Sequence, residues 1–335
     1  MDGRVLSVEA FGKGHINDTW RVTTASHAHY MLQRINTKIF TDPVGVITNT
    51  IAVCRHLQGV APRLVPQVVV ARNARPAVSR ASGVYRMLEY VHGRAGAAPL
   101  DDAQAHAAGH AFGRFQRALA DYDATRHTLP IPGFLELAGY LRELDAALAT
   151  TEPARRDRAG DLIARVVAQR HFVLRGQQGP AGMIHGDCKV DNLIFDETAP
   201  AVRAVVDLDT VMWGRRAWDF GDLVRSASVR GAEDAADLRL HLSLYTPIAE
   251  GFARGLGDLF DASCAAACVD APAYVALMLG TRFLTDFLVG DRYFKVSDDS
   301  HNLRRAAAQL SVFDSAVAQR ETMARILYSM KVHAP

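Results

Sequence analysis

The stretch "MIHGDCKVDNLIFD", residues 183–196, sets a His, two Asp, a Lys and an Asn between two apolar ends, Met183-Ile184 and Leu193-Ile194-Phe195. Short apolar runs of this kind predict buried strands, and polar residues turned into the gap between strands predict a site. The stretch reads as a catalytic loop.

The rest of the composition fits an ordinary globular chain. The chain has 335 residues, 49% hydrophobic and 22% charged, enough for a sizeable core and better accommodated by two lobes than by one. No run of about 18 apolar residues is evident, and the opening "MDGRVLSVEAFGKG" has neither the basic nor the apolar block of a signal peptide. We therefore expect a cytoplasmic protein that binds neither membrane nor nucleic acid; the net charge of +2 gives no support for the latter. Cys54, Cys188, Cys264 and Cys268 form no zinc-ribbon pattern and read as reduced thiols.

The character of the chain changes near residue 91. Before it come β-like runs at 4–10, 18–24, 30–35, 66–72 and 83–91, several separated by turns such as "ASHAH" and "RNARP", as in an antiparallel meander. One helix interrupts them at about 43–58, with Pro43 in its first turn and an apolar stripe of Val46, Ile47, Ile51, Val53 and Leu57. After residue 100 the pattern is mostly helical, clearest in "DDAQAHAAGHAFGRFQRALADYD" with its Asp cap. The exceptions are strands at 183–184 and 193–195, followed by "AVRAVVDLD". The expectation is an α+β chain: an N-terminal lobe, residues 1–90, with a small antiparallel sheet and one main helix, then a larger helical lobe, 91–335.

This layout resembles that of a protein-kinase-like two-lobe phosphotransferase, which implies nucleotide binding in the first lobe and catalysis and substrate binding in the second, and particular residues carry a closer resemblance. "HGDCKVDN" resembles the His-Gly-Asp-x4-Asn loop of the aminoglycoside phosphotransferases and related small-molecule kinases, and "VVDLD" resembles their metal-binding Asp segment. "GHINDT", "LQRIN", "VVDLDTVMWG", "WDFGD", "RFLTDFLVGDRYF" and "HNLRRAAAQL", in this order from about residue 11 to 312, look like the N-acetylhexosamine 1-kinase branch. The resemblance implies ATP and Mg²⁺ as cofactors and a small-molecule sugar as partner.

The chemistry also follows from the residues. Phosphoryl transfer needs a positioned hydroxyl, neutralised charge and a carboxylate to receive the hydroxyl proton. Asp187 suits the proton; Asn192 and Asp207 suit Mg²⁺, a hard cation that takes oxygen ligands. His185 braces the loop, as the equivalent His does in the relatives. Lys189 is either a phosphate contact or a solvated loop lysine. "WDFGDLV" spells a kinase metal motif, but Asp219 follows no apolar strand, so it reads as a helix cap or a brace beneath the catalytic loop. Asp209 is open between second metal ligand, substrate contact and structural residue, and we group it with the substrate contacts.

Nucleotide contacts are expected from Gly12, Lys13 and Gly14 in "FGKGHIND", from Gln33 where relatives carry a phosphate-binding Lys, and from the backbone of Glu89 and Val91 in a hinge, with Leu88 behind the base. Arg34 should point to the opposite face of its strand. A neutral Gln33–Asn49 hydrogen bond is expected in place of the kinase ion pair. "GHAFG" reads as close helix packing, and "GFARGLGDLF" lacks the preceding strand that dinucleotide binding requires.

For the acceptor, "GTRFLTDFLVGDRYFKVSDDSHN" (280–302) mixes charges with aromatic rings, which suits sugar hydroxyls and a ring face and equally suits a surface helix and loop. The resemblance selects Arg282 and Tyr293 as sugar contacts, with Trp213 able to line the pocket. The leading expectation is an ATP-dependent kinase of an N-acetylhexosamine or similar hexose, acting at the 1-hydroxyl. Aminoglycoside, choline or homoserine kinase is the alternative within the class, and a non-catalytic nucleotide-binding protein the alternative outside it.

Overall fold

The computed structural model describes residues 3–12, 16–71, 75 and 77–330. The N-terminal lobe is one antiparallel sheet of β1 (Val5–Ala10), β2 (Asp18–Thr24), β3 (His29–Arg34), β4 (Val68–Val69), β5 (Val78–Arg80) and β6 (Gly83–Glu89), in the order β1-β2-β3-β6-β4 with β5 on β6. The meander is as expected for β1 to β3. β5 escaped the sequence reading, being three residues of which two are exposed.

α1 (Pro43–Val60) starts at Asp42, whose side chain accepts from the Gly45 amide at 2.8 Å, and its first residue is Pro43. Its expected stripe is buried, and it divides between two cores. Val46, Ile47 and Ile51 pack with Ile35 and Phe40 beside the sheet, whereas Val53 and Leu57 join the large helical core. One helix thereby ties the two lobes together.

The helical lobe contains α2 (Asp102–Ala118), α3 (Leu137–Thr150), α4 (Pro153–Arg158), α5 (Gly160–Ala168), α6 (Phe172–Gly176), α7 (Arg216–Ala227), α8 (Leu242–Leu256), α9 (Ala262–Leu288), α10 (His301–Ala318) and α11 (Arg320–Ser329). Asp101 and Gln104 form a reciprocal capping box at the start of α2. α2 crosses α8 backbone to backbone: a Cβ on Gly251 would lie 2.0 Å from the His106 carbonyl, and one on Gly109 2.2 Å from that of Ile248. The "GHAFG" and "GFARG" glycines therefore serve helix packing.

By length and composition α9 is apolar enough to cross a membrane, its most apolar 18 residues having mean hydropathy 1.6, but 72% of that stretch is buried inside the protein. It is the central core helix, packed against α3, α7, α10 and α11. The four cysteines are free and buried.

Two small ribbons carry the polar loop. β8 (Ala181–Ile184) pairs with β11 (Met212–Arg215), and β9 (Leu193–Phe195) lies between β10 (Val202–Val205) and β7 (Arg94–Ala95). β11 was not expected from the sequence. It alternates buried Met212 and Gly214 with Trp213, which is 61% exposed. The loop 185–192 thus leaves one ribbon and enters the other, and the segment 206–211 connects them a second time.

Candidate active site

The catalytic loop is held from beneath by α7. Asp219 Oδ2 accepts from the His185 amide at 2.8 Å and Oδ1 from the Gly186 amide at 2.9 Å, while Gln116 Nε2 donates to Oδ2 at 2.8 Å. Asp219 is therefore a brace, as its sequence context predicted. The His185 ring is buried, edge-on to Phe112 and Phe115. Its Nδ1 accepts from the Asp187 amide at 3.3 Å and its Nε2 lies 3.0 Å from the Val206 carbonyl, an arrangement that fits the neutral ring with the proton on Nε2. Gly186 has φ +82°, and a Cβ there would meet the Thr210 carbonyl at 2.6 Å, so the middle residue of His-Gly-Asp must be glycine.

These supports leave Asp187 facing Lys189 and Asn192. Lys189 Nζ and Asn192 Nδ2 each donate to Asp187 Oδ2 at 2.8 Å, and Asn192 Nδ2 also donates to the Asp187 carbonyl at 2.8 Å. Burial works to raise the Asp187 pKa, but the Lys189 ammonium and the Asn192 bond more than offset it and hold the carboxyl below its ordinary value. Lys189 is raised in turn: burial opposes its charge, and the Asp187 carboxylate outweighs that. The ammonium is thus paired with the loop's own carboxylate.

Asp207 sits where β10 ends, with left-handed backbone angles φ 62° and ψ 61°, which a non-glycine residue seldom adopts. Its carboxylate makes no hydrogen bond among the described residues. Burial, then the charges of Asp209 and Asp187, push its pKa up to about 6. The Val206 amide donates to the Asn192 carbonyl at 2.9 Å, which joins the Asp207 segment to Asn192 through the backbone. With Asn192 Nδ2 committed to Asp187, its Oδ1 and the unpartnered Asp207 carboxylate are two oxygen donors that fit a hard divalent cation. Among the described residues no three His, Cys, Asp or Glu side chains gather as a self-sufficient metal site. The donor set suits Mg²⁺ completed by phosphate oxygens.

Asp209 corrects the grouping with substrate contacts. It is 3% exposed; Oδ1 is bonded to Arg86 Nη1 and Oδ2 accepts from Asn17 Nδ2 at 2.6 Å, so the protein occupies both oxygens. Arg86 Nε donates to Gln33 Oε1 at 2.9 Å and Nη1 to Thr50 Oγ1 at 3.0 Å. The expected Gln33–Asn49 bond is replaced by Gln33–Arg86, because Asn49 is turned to the Thr128 backbone, donating to its carbonyl at 2.7 Å and accepting from its amide at 3.1 Å. Arg34 points to the other face, as expected, paired with exposed Asp18.

On the nucleotide side, Gly12 has φ +77°, and a Cβ added there would meet nothing within 4 Å, leaving room for close backbone approach. Lys13 and Gly14 lie outside the described residues. The Glu89 amide is bonded to the Gln67 carbonyl at 2.9 Å, and the Val91 amide donates no backbone bond among the described residues. Leu88 is buried beside them.

Arg282 and Tyr293 come together. The Arg282 guanidinium carbon lies 5.5 Å from the Tyr293 ring centre, 5.1 Å from Tyr140 and 5.5 Å from Phe134, and Tyr293 is 50% exposed. Asp286, one of the charges of this stretch, instead holds the loop: it accepts from the amides of Arg292 at 2.9 Å, Tyr293 at 2.8 Å and Phe294 at 2.9 Å, and from Asn302 Nδ2 at 2.9 Å. Asp291 is paired with Arg155 at 2.9 Å.

Residues 7–256 match the model of the phosphotransferase enzyme family. The chain belongs to this family. Solved structures similar to this phosphotransferase include an amicoumacin kinase (16% identity, TM-score 0.60, 91% of this chain and 87% of that one) and the Plasmodium vivax ethanolamine kinase (11%, 0.62, 92% and 84%). The wild-type aminoglycoside 2′-phosphotransferase-IIIa is similar at 15% identity and TM-score 0.55, over 97% of this chain and 94% of that one. At these identities the likeness establishes the protein-kinase-like fold.

Sequence reasoning missed Arg86 in this phosphotransferase, and its signal was present. In "GVYRMLEYV" a strand period of two puts Arg86 on the same face as Val84 and Leu88, so an inward charge needed a buried partner. It missed the Asp222–Arg225 pair too. Asp222 Oδ1 accepts from Arg225 Nε at 2.9 Å and Nη2 at 2.8 Å, one turn along α7 from Asp219 and within electrostatic reach of Asp187.

Proposed function

We propose that this phosphotransferase moves the γ-phosphoryl group of ATP, with Mg²⁺, onto a sugar hydroxyl, and that the acceptor is the anomeric 1-hydroxyl of an N-acetylhexosamine or related hexose. Asp187 receives the hydroxyl proton as the acceptor oxygen bonds to phosphorus and the bond to the ADP oxygen breaks. Lys189 and Asn192 orient that carboxylate. Asn192 Oδ1 and Asp207 would hold Mg²⁺, which when bound would supply neutralisation of the phosphate charge. Gly12, Gln33 and the Glu89–Val91 backbone belong to the nucleotide side, and the similar amicoumacin kinase was solved with AMP-PNP and Ca²⁺.

The observation that carries the acceptor class is the pairing of carboxylates. Asp187 has Lys189, Asp222 has Arg225, Asp291 has Arg155, and Asp286 is spent on backbone amides. The rings of Phe134, Tyr140 and Tyr293 that could face a quaternary ammonium already face the Arg282 guanidinium, and a polycationic aminoglycoside needs uncompensated negative charge. A neutral sugar, met by Arg282 and the half-exposed Tyr293 ring, needs none. The test is a panel of N-acetylhexosamines, hexoses, aminoglycosides, choline and homoserine assayed for ATP consumption, with phosphorus NMR of the product. A sugar 1-phosphate is expected; a phosphorylated aminoglycoside or choline as the preferred product refutes the assignment.

A further inference from the structure

The four side chains around Asp209 come from four places in the sequence that the family chemistry leaves unexplained. Asn17 belongs to "GHINDT", Gln33 to "LQRIN", Thr50 to α1 and Arg86 to β6. They meet in a cluster whose central ion pair is almost wholly buried, the Arg86 side chain 1% and the Asp209 side chain 2% exposed. The Asn17 side chain is itself fixed by the Asn36 amide, which donates to its Oδ1 at 3.0 Å. Burying two charges this far from water is unfavourable unless the geometry is well satisfied, and retention of such a pair points to a use other than stability.

Its location indicates the use. Asp209 lies two residues beyond Asp207, in the same short 3₁₀ turn that follows the left-handed Asp207 backbone. Arg86 lies two strand positions before Leu88 in the sheet that covers the nucleotide side, bonded through Gln33 to β3. The guanidinium is within electrostatic reach of the Asp207 carboxylate itself. In a kinase with a β3 lysine, an ion pair couples the sheet to its helix. Here the β3 position holds Gln33, and the buried ion pair runs from the sheet to the metal segment.

We propose that Arg86 is a positioning residue for the cation: by clamping Asp209 it fixes the strained backbone of Asp207 and presents that carboxylate to the metal. This rests on the reading of Asp207 as a metal ligand. Asp209 is the handle and Arg86 the anchor, and neither touches the acceptor.

The experiment measures Mn²⁺ binding by the electron paramagnetic resonance of free Mn²⁺, with full-length protein and AMP-PNP, beside AMP-PNP affinity without metal and the melting temperature. Arg86→Met and Asp209→Asn should each weaken Mn²⁺ binding at least tenfold while metal-free AMP-PNP affinity changes less than threefold. The double variant should be no weaker than the worse single one, because the two residues act as a unit. Arg86→Lys should recover most of the Mn²⁺ affinity. If Arg86→Met does not fold, Asp209→Asn, which conserves shape, and Thr50→Val, which removes one Arg86 bond, decide the matter; Thr50→Val should give an intermediate loss. Folded variants that melt earlier but bind Mn²⁺ as the parent does would reduce the cluster to a structural pin. Failure of the parent protein to bind Mn²⁺ with AMP-PNP would instead overturn the underlying kinase reading.

Discussion

Asp219 gives both carboxylate oxygens to the backbone of the catalytic loop, Oδ1 to Gly186 and Oδ2 to His185. Hydrogen bonds to a charged acceptor contribute about 1.5 to 3 kcal/mol each, and a buried amide left without one is costly. Asp219→Ala should therefore destabilise the protein by about 3 kcal/mol or more in urea denaturation and lower turnover through a displaced loop. The Mg²⁺ concentration for half-maximal activity should stay within a few-fold. Loss of metal dependence in a folded variant would make Asp219 the metal ligand.

Asp187→Asn removes the proposed proton acceptor while retaining shape and one oxygen. A general base typically contributes about 10² to 10⁴ in rate. Turnover should fall at least about a hundredfold with AMP-PNP affinity nearly unchanged, as single-turnover kinetics and calorimetry can check. A variant retaining most of its activity removes Asp187 from this role.

Asp207 should make stability depend on pH. Its pKa in the folded, metal-free protein is about 6, against an ordinary 3.8. Between these values the folded state holds a proton that the unfolded state has lost, so stability from this group is present at low pH and is lost as pH rises through about 6. At neutral pH the ionised carboxylate is a load of up to about 3 kcal/mol. Asp207→Asn should consequently raise the melting temperature at pH about 7.5 in chelator, with the gain shrinking toward acid, while abolishing metal binding. A lower melting temperature at neutral pH contradicts this.

The α2–α8 crossing is testable by a single methyl group. With the Gly251 Cβ position 2.0 Å from a carbonyl oxygen on the facing helix, Gly251→Ala must push the helices apart. We expect a loss of about 2 kcal/mol or more, against a small effect at Gly139, where only the end of a flexible arginine approaches, at 3.8 Å.

Removal of Arg282 or Tyr293 should weaken the acceptor and spare the nucleotide. Charged hydrogen bonds contribute about 1.5 to 3 kcal/mol and neutral ones about 1, so Arg282→Ala should lower kcat/KM for the sugar more than Tyr293→Phe does. Unchanged sugar kinetics in both would return this segment to a structural role.

What was legible in the sequence was local. The stripe of α1, the Asp101 cap and the apolar flanks of the catalytic loop each repeat or sit within one element, so neighbouring residues suffice to find them. Asp219 was legible as a brace because no apolar run leads into it, although β11 ends four residues earlier, at Arg215. The Arg86–Asp209 pair was not, since its partners are 123 residues apart and each alone admits several readings. β5 and β11 were missed because their residues are held by pairing with β6 and β8 rather than by their own pattern. α9 shows no continuous apolar run in the sequence because Asp270 and Arg282 interrupt it, and in the fold Arg320 and the aromatic ring faces accommodate those charges.

The Asp286 carboxylate binds three successive amides of the chain that follows α9. A loop secured in this way inherits the rigidity of the core helix to which it is tied. On the proposed reading of Tyr293 as an acceptor contact, a change of acceptor range in this enzyme would come by exchanging that side chain, since the backbone beneath it is held in place. Selection would find new substrates here by single replacements, and would find few by loosening the loop.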